Sequence, residues 1–225
     1  MEILGRFDGR NGQITVAQER KTGARLYVEE GVKQSYVLPG GSAGLGAPDI
    51  ILFGCGGGAL ASELHNRGCR VTVVDDNPIS FEIARRYFWM PPSIHCVADG
   101  MAEFLEEGSG EYAAIGVDVG GPSFDYESTL AARTCALLGK SLARGGRIVV
   151  NIARDWAQDT TLVRIADRLL NEDLDAKIFE EAPRKGRSAL IVATKQATAM
   201  NEIAAIASSL GFRAPLRGKH SRLSH

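Results

Sequence analysis

The features this chain lacks narrow its reading before those it has. No apolar run approaches the roughly 20 residues that cross a bilayer, and the opening MEILGRFDGR has polar residues where a signal peptide carries an apolar core. The four cysteines, Cys55, Cys69, Cys96 and Cys135, form no CxxC pair and sit in or beside apolar stretches. They read as buried thiols of a protein kept in a reducing cytoplasm. Four scattered histidines give no metal-ligand spacing, so no metal is expected. An excess of charge is missing too: 26 basic against 27 acidic residues leave −1, with no basic face for nucleic acid or an anionic membrane. What remains is an ordinary globular composition, 44% apolar over 225 residues, enough for one sizeable α/β domain with a small appendage.

The stretch DIILFGCGGGALASELHNRGCRVTVVD, residues 49 to 75, organises the rest. Ile50 to Phe53 is short, continuously apolar and followed by glycine, which predicts a parallel strand buried on both faces. Gly54, Gly56, Gly57 and Gly58 make a turn with bare backbone. Leu60 and Leu64 at i, i+4 predict a helix from Ala59 ending at Arg67-Gly68. A second strand, Arg70 to Val74, runs into Asp75 and Asp76. Strand, glycine turn, helix and strand ending in an acid form half of a nucleotide-binding sheet. Bare amides stand at the helix start, and a carboxylate stands where a ribose diol would arrive.

Ahead of this core, QITVAQE and ARLYVEE alternate apolar and polar around the turn RKTG, with Ile14 and Val16 matched by Leu26 and Val28. That predicts an N-terminal β-hairpin unit, continued by VKQSYVL, within residues 1 to 38. Residues 39 to 48, rich in glycine, form a connector able to arch over a ligand. Beyond Asp76 the pattern alternates. Helices are expected at 79–88, 101–107, 129–143 (closed by Arg144-Gly145-Gly146), 160–171 and 200–210, with strands at 94–98, 112–117 and 147–152. Strands 177–181 and 188–194, joined by APRKGR, predict a closing hairpin whose last strand is antiparallel. The expected fold is a doubly wound, mostly parallel α/β sheet over residues 49 to 212, followed by a basic tail, 213 to 225.

Ligands of such a sheet bind beyond the carboxyl ends of its strands. Standing there are Gly54 to Gly58 (with Cys55), Asp75 to Asn77, Asp99-Gly100, Asp118 and Asn151. Asp75 is placed to accept from ribose hydroxyls and Asp99 from an exocyclic amine, or else to cap the helix at Met101. Asp118 ends an apolar strand in mid-sheet, followed by a loop of small residues, and could orient an amine or take its proton. A loop cap is its structural alternative. Gly54, Gly56 and Ala59 satisfy GxGxxA, yet the Asp-Gly pair after the third core strand and the closing hairpin suit a sulfonium cofactor better than a dinucleotide.

The segments GQITV, LYVEEGVKQS, IILFGCGGGAL, VTVVDDNP, VADGMAEFL and IGVDVGGP resemble those of the spermidine synthases and their S-adenosylmethionine-dependent relatives, from Gly12 to Thr194. The resemblance implies a class I methyltransferase-like Rossmann fold with a seven-stranded sheet. It implies cofactor contacts at Gln13, Gln34, Gly54, Cys55, Gly56, Gly58, Asp75, Asp76, Asp99 and Gly100, and puts Asp118 on the acid that faces an amine substrate. The expected cofactor is S-adenosylmethionine or its decarboxylated form; a small amine is the expected acceptor, and a homodimer is compatible. Three departures stand out. Gly57 replaces the acid that holds the amine end of the decarboxylated cofactor, Gly121 replaces a second substrate acid, and LPGGSAGLG replaces a Tyr-Gln and histidine segment. Each lost carboxylate removes a charge-assisted partner worth ~1.5–3 kcal/mol. The expectation is therefore a transferase of methyl or aminopropyl, with glycine at 57 tipping toward methyl. The alternatives are a non-catalytic nucleoside-binding relative and an NAD-linked oxidoreductase.

Overall fold

A computed structural model describes residues 1 to 196 except 11, 22, 31, 38–47, 109, 122–123, 155–159 and 181–186. The expected connector up to residue 47, the turn at APRKGR, the helix at 200–210 and the basic tail lie outside the described residues.

The apolar strands and their glycine turns assemble as an open parallel sheet. Its strands are β5 (Asp49–Phe53), β6 (Arg70–Asp75), β7 (His95–Ala98), β8 (Tyr112–Val117), β9 (Leu142–Arg154), β10 (Asp175–Glu180) and β11 (Arg187–Thr194). They lie in the order β10-β11-β9-β8-β5-β6-β7, with β11 antiparallel to both its neighbours. The expected seven strands and antiparallel closing strand are both present.

Period-two alternation sends Ile50, Leu52, Val71 and Val73 to one face, against α1 (Ala59–Asn66) and α2 (Ile79–Phe88). Ile51, Phe53, Ile115 and Val117 go to the other, against α3 (Met101–Glu107), α5 (Ala132–Lys140) and α6 (Thr161–Leu170). Both faces are covered, which is why β5 and β8 read as near-continuous apolar runs.

Two expected boundaries differ. The long helix at 129–143 is instead α4 (Tyr126–Thr129) and α5, split where Leu130 turns fully into the core and Ala131 is extended. Arg144-Gly145-Gly146 does not close that helix; the glycines lie inside β9, opposite a register shift between Tyr112 and Ala114. Gly145 at φ +79° supplies the left-handed step that this bulge requires.

The N-terminal unit is larger than a hairpin. β1 (Glu2–Gly9), β2 (Gly12–Gln18), β3 (Arg25–Glu29) and β4 (Val32–Val37) form a four-stranded antiparallel sheet, and β1 escaped the sequence reading. Its register also differs from expectation. Ile14 pairs with Glu29 and Val16 with Tyr27, so Tyr27 and Glu29, not Leu26 and Val28, share the face of Ile14 and Val16. That face packs on α2, where Ile14, Val16 and Tyr27 meet Ile83 and Phe88. The sheet is thereby seated beside the carboxyl ends of β5 and β6. No helix among the described residues is long and apolar enough to cross a membrane.

Candidate functional site

Parallel strands bring their carboxyl ends to one edge, and there the chain leaves a cleft of about 390 Å³, a volume in the range of small-ligand sites. Its floor is the turn after β5. Gly54 has φ +96°, and a Cβ on it would stand 2.2 Å from the backbone oxygen of Asp118, so only glycine fits. Backbone bonds lock this corner: Gly54 N–H donates to the Val74 oxygen at 2.8 Å and Asp118 N–H to the Phe53 oxygen at 2.9 Å.

Asp75 sits in this corner. One carboxylate oxygen accepts the Cys55 N–H at 2.7 Å and the other accepts the Asn77 N–H at 2.8 Å. Burial raises its carboxyl above the ordinary range, and the two backbone bonds offset part of that rise. Each oxygen has therefore spent one lone pair on the protein and keeps the other for a further donor. Burial first, and the Asp75 charge second, hold the Cys55 thiol well above its ordinary value, which removes it as a nucleophile. Asp76 is exposed beside it and pairs with Arg10 at 2.7 Å. At the end of β7, one oxygen of Asp99 accepts the Gly100 N–H at 2.8 Å, and Gly100 rather than Asp99 is the N-cap of α3.

The other end of the cleft belongs to β8 and β9. Asn151 donates from Nδ2 to Asp118 Oδ1 at 2.8 Å. The carboxylate dictates this amide orientation, since turning it would set oxygen against oxygen. Asn151 Oδ1 is consequently left buried and, among the described residues, without a partner. Tyr126 stands alongside, accepting the Ala153 N–H at 3.3 Å and stacked edge-on with Phe124 at 4.8 Å. Burial raises its hydroxyl above the ordinary value; the Ala153 bond lowers it and the Asp118 charge adds to the rise. Gly121 lines the same end with nothing within 4 Å of its Cβ position.

Of the expected contacts, the structure brings Gly54, Cys55, Gly56, Asp75, Asp76, Asp99, Gly100 and Asp118 to this one cleft. It does not bring Gln13 or Gly58 there. Gln13 falls on the outward face of β2, exposed, with its N–H on Glu30. Gly58, at φ +67°, caps α1 and packs against Met90. Gln34 lies at the irregularity between the pairs Tyr27–Ser35 and Val28–Lys33, and its side chain is outside the description.

Among the wall residues that went unnoticed in the sequence are Tyr27 and Glu29 of the N-terminal sheet, and Tyr126. The alternation of ARLYVEE was the available signal for the first two, once the register is set. Burial raises the Glu29 carboxyl, followed by the charges of Asp75, Glu30 and Asp76. The cleft thus carries five carboxyl groups (Glu29, Asp75, Asp76, Asp99 and Asp118) and, among its described lining residues, no Lys, Arg or His. No group of three or more potential metal ligands occurs among the described residues.

The sequence matches no protein-family model and no protein of curated function. Solved structures do match. A probable spermidine synthase from Corynebacterium glutamicum superposes with a TM-score of 0.72 at 14% identity, covering 100% of this chain and 99% of that one. A spermidine synthase in complex with the transition state analogue AdoDATO gives 0.67 at 13% identity, over 87% of this chain and 74% of that one. The spermidine synthase from Thermotoga maritima gives 0.66 at 12%, over 87% and 73%. The likeness is one of fold, which this chain shares with these solved spermidine synthases.

Proposed function

We infer that this chain is a transferase using an S-adenosyl sulfonium cofactor and a small amine acceptor, and that the decarboxylated, aminopropyl-donating form is its better ligand. The observation carrying this reading is the charge of the cleft: five carboxyl groups line it, of which only Asp76 has a described cationic partner, Arg10, and no Lys, Arg or His is among the described lining residues. A cationic sulfonium with a free ammonium tail complements such a wall, whereas a ligand carboxylate would need a positive partner. The glycine turn offers little instead, because the amides of Cys55, Gly58 and Gly54 are already bonded to Asp75, Cys55 and Val74. The lean toward methyl drawn from Gly57 thus has a counterweight, and Gly57 itself is buried away from the cleft wall. The neighbour bound to AdoDATO supports the same preference.

When bound, the cofactor supplies a carbon made electrophilic by the sulfonium. The chain's share is alignment and proton handling. Asp118, steadied by the Asn151 amide, keeps an oxygen for the acceptor nitrogen. Asp75 and Asp99 hold the nucleoside. Calorimetric titration of both cofactor forms tests the reading. The decarboxylated form is expected to bind at least about tenfold tighter, a difference of ~1.4 kcal/mol. Tighter binding of S-adenosylmethionine would reinstate methyl transfer, and binding of neither would remove the cofactor altogether.

A further inference from the structure

We propose that Glu29 is the second half of a ribose clamp, taking one of the nucleoside's two vicinal hydroxyls while Asp75 takes the other. This rests on the nucleoside-binding reading above. Glu29 is only 6% exposed, and none of its described neighbours gives its side chain a hydrogen bond or ion pair. A mostly buried carboxyl without a described partner is completed by whatever enters the space it faces. Its outlet is the cleft, which it lines beside Tyr27, two residues back on the same face of β3. Tyr27 cannot supply the missing bond freely, because its hydroxyl is engaged with Ser80.

The place of Glu29 along the cleft selects a hydroxyl pair over an ammonium. The charges that bear on it are Asp75, Glu30 and Asp76, at the β6 end, and not Asp118. Asp75 enters this end with one lone pair of each oxygen already committed to the Cys55 and Asn77 amides. Two adjacent hydroxyls need two well-directed acceptors, and Glu29 adds two oxygens that no described side chain engages. Burial and the facing acids raise its carboxyl, and Arg10, the described cation nearby, is committed to Asp76.

Calorimetric titration of methylthioadenosine and of its 2′-deoxy and 3′-deoxy counterparts, against wild type and Glu29→Gln, tests the clamp. Glutamine keeps the volume and loses the charge. Methylthioadenosine should bind the variant about tenfold to a hundredfold more weakly, the share of one charge-assisted hydrogen bond. The deoxy compound lacking the hydroxyl that Glu29 holds should bind wild type and variant alike. The ligand-free variant should also melt higher, because a mostly buried acid with no described partner has gone. Equal binding of methylthioadenosine to both proteins, or equal weakening of all three ligands, overturns the clamp, as does a lower ligand-free melting temperature. A variant impaired only toward amine-bearing ligands would make Glu29 a counter-charge and overturn it too. Wild type failing to bind methylthioadenosine at all would instead defeat the nucleoside reading on which the clamp rests.

Discussion

The pair Asp118–Asn151 makes a sharp demand on the variant Asp118→Asn. In the wild type one oxygen of Asp118 receives Asn151 Nδ2 at 2.8 Å, and Asp118 is exposed at the cleft mouth. An asparagine at 118 can turn its own oxygen toward Asn151 and keep that contact, now neutral on both sides. A charge-assisted bond worth ~1.5–3 kcal/mol becomes a neutral one worth ~1 kcal/mol, so stability should fall by no more than about 1–2 kcal/mol. Solvent access at this position holds the loss near the lower figure. The other side of the group changes character entirely. Where a carboxylate oxygen faced the cleft as an acceptor, an NH2 donor now faces it, beside an incoming nitrogen that also bears protons.

Turnover should therefore fall by about 10²–10⁴, the share of a positioned general base, equivalent to ~2.7–5.4 kcal/mol of barrier. Cofactor affinity should stay within about twofold, since Asp75 and the glycine turn are untouched. Rapid-quench measurement of the nucleoside thioether by-product gives the rate, and thermal melting gives the stability. A rate within tenfold of wild type would refute the role assigned to Asp118. So would a large drop in melting temperature with catalysis intact, the signature of a mere loop cap.

Two further outcomes follow from the cleft floor and its buried acids. Gly54→Ala should cost at least about 3 kcal/mol in urea unfolding, adding backbone strain at φ +96° to a 2.2 Å approach on the Asp118 oxygen. The carboxyls of Glu29 and Asp75 are raised in the folded protein, so the native state holds their protons more tightly than the unfolded chain does. Their stabilisation is complete below the ordinary carboxylate range and lost as pH rises through the raised values. Ligand-free melting curves of Glu29→Gln should accordingly fall less steeply than wild type across that window. Identical slopes would remove Glu29 from this account, whose facing groups are Asp75, Glu30, Asp76 and Tyr27.

Much of this was legible because a parallel sheet writes its signals locally. The continuous run Ile50–Phe53, the glycines after it and the acids at 75, 99 and 118 each announce a strand end, and topology alone carries them to one edge. The N-terminal sheet was less legible, because alternation names two faces without saying which one is buried. Leu26 and Val28 are the apolar choice, yet pairing of Ile14 with Glu29 turns an acid and a tyrosine inward. Strand β1, interrupted by Gly5 at an irregularity of pairing, gave no clean alternation. Asn151 was visible at a strand end, but its orphaned oxygen is a consequence of Asp118 standing opposite, which only the fold supplies.

The acids that the resemblance leads one to expect at 57 and 121 are not missing in the same sense. Gly57 is buried, and its backbone is not among the residues that line the cleft. Gly121 does line the cleft, and no described atom stands within 4 Å of where its side chain would begin. Glu29 adds a carboxyl at the opposite end, beside Asp75. Negative charge is thus displaced along the cleft from the acceptor toward the nucleoside. Among the described lining residues at this end, a second ammonium on the acceptor would meet Asp118, Asn151 and Tyr126, and an acceptor bulky enough to extend toward Gly121 would find room beside them.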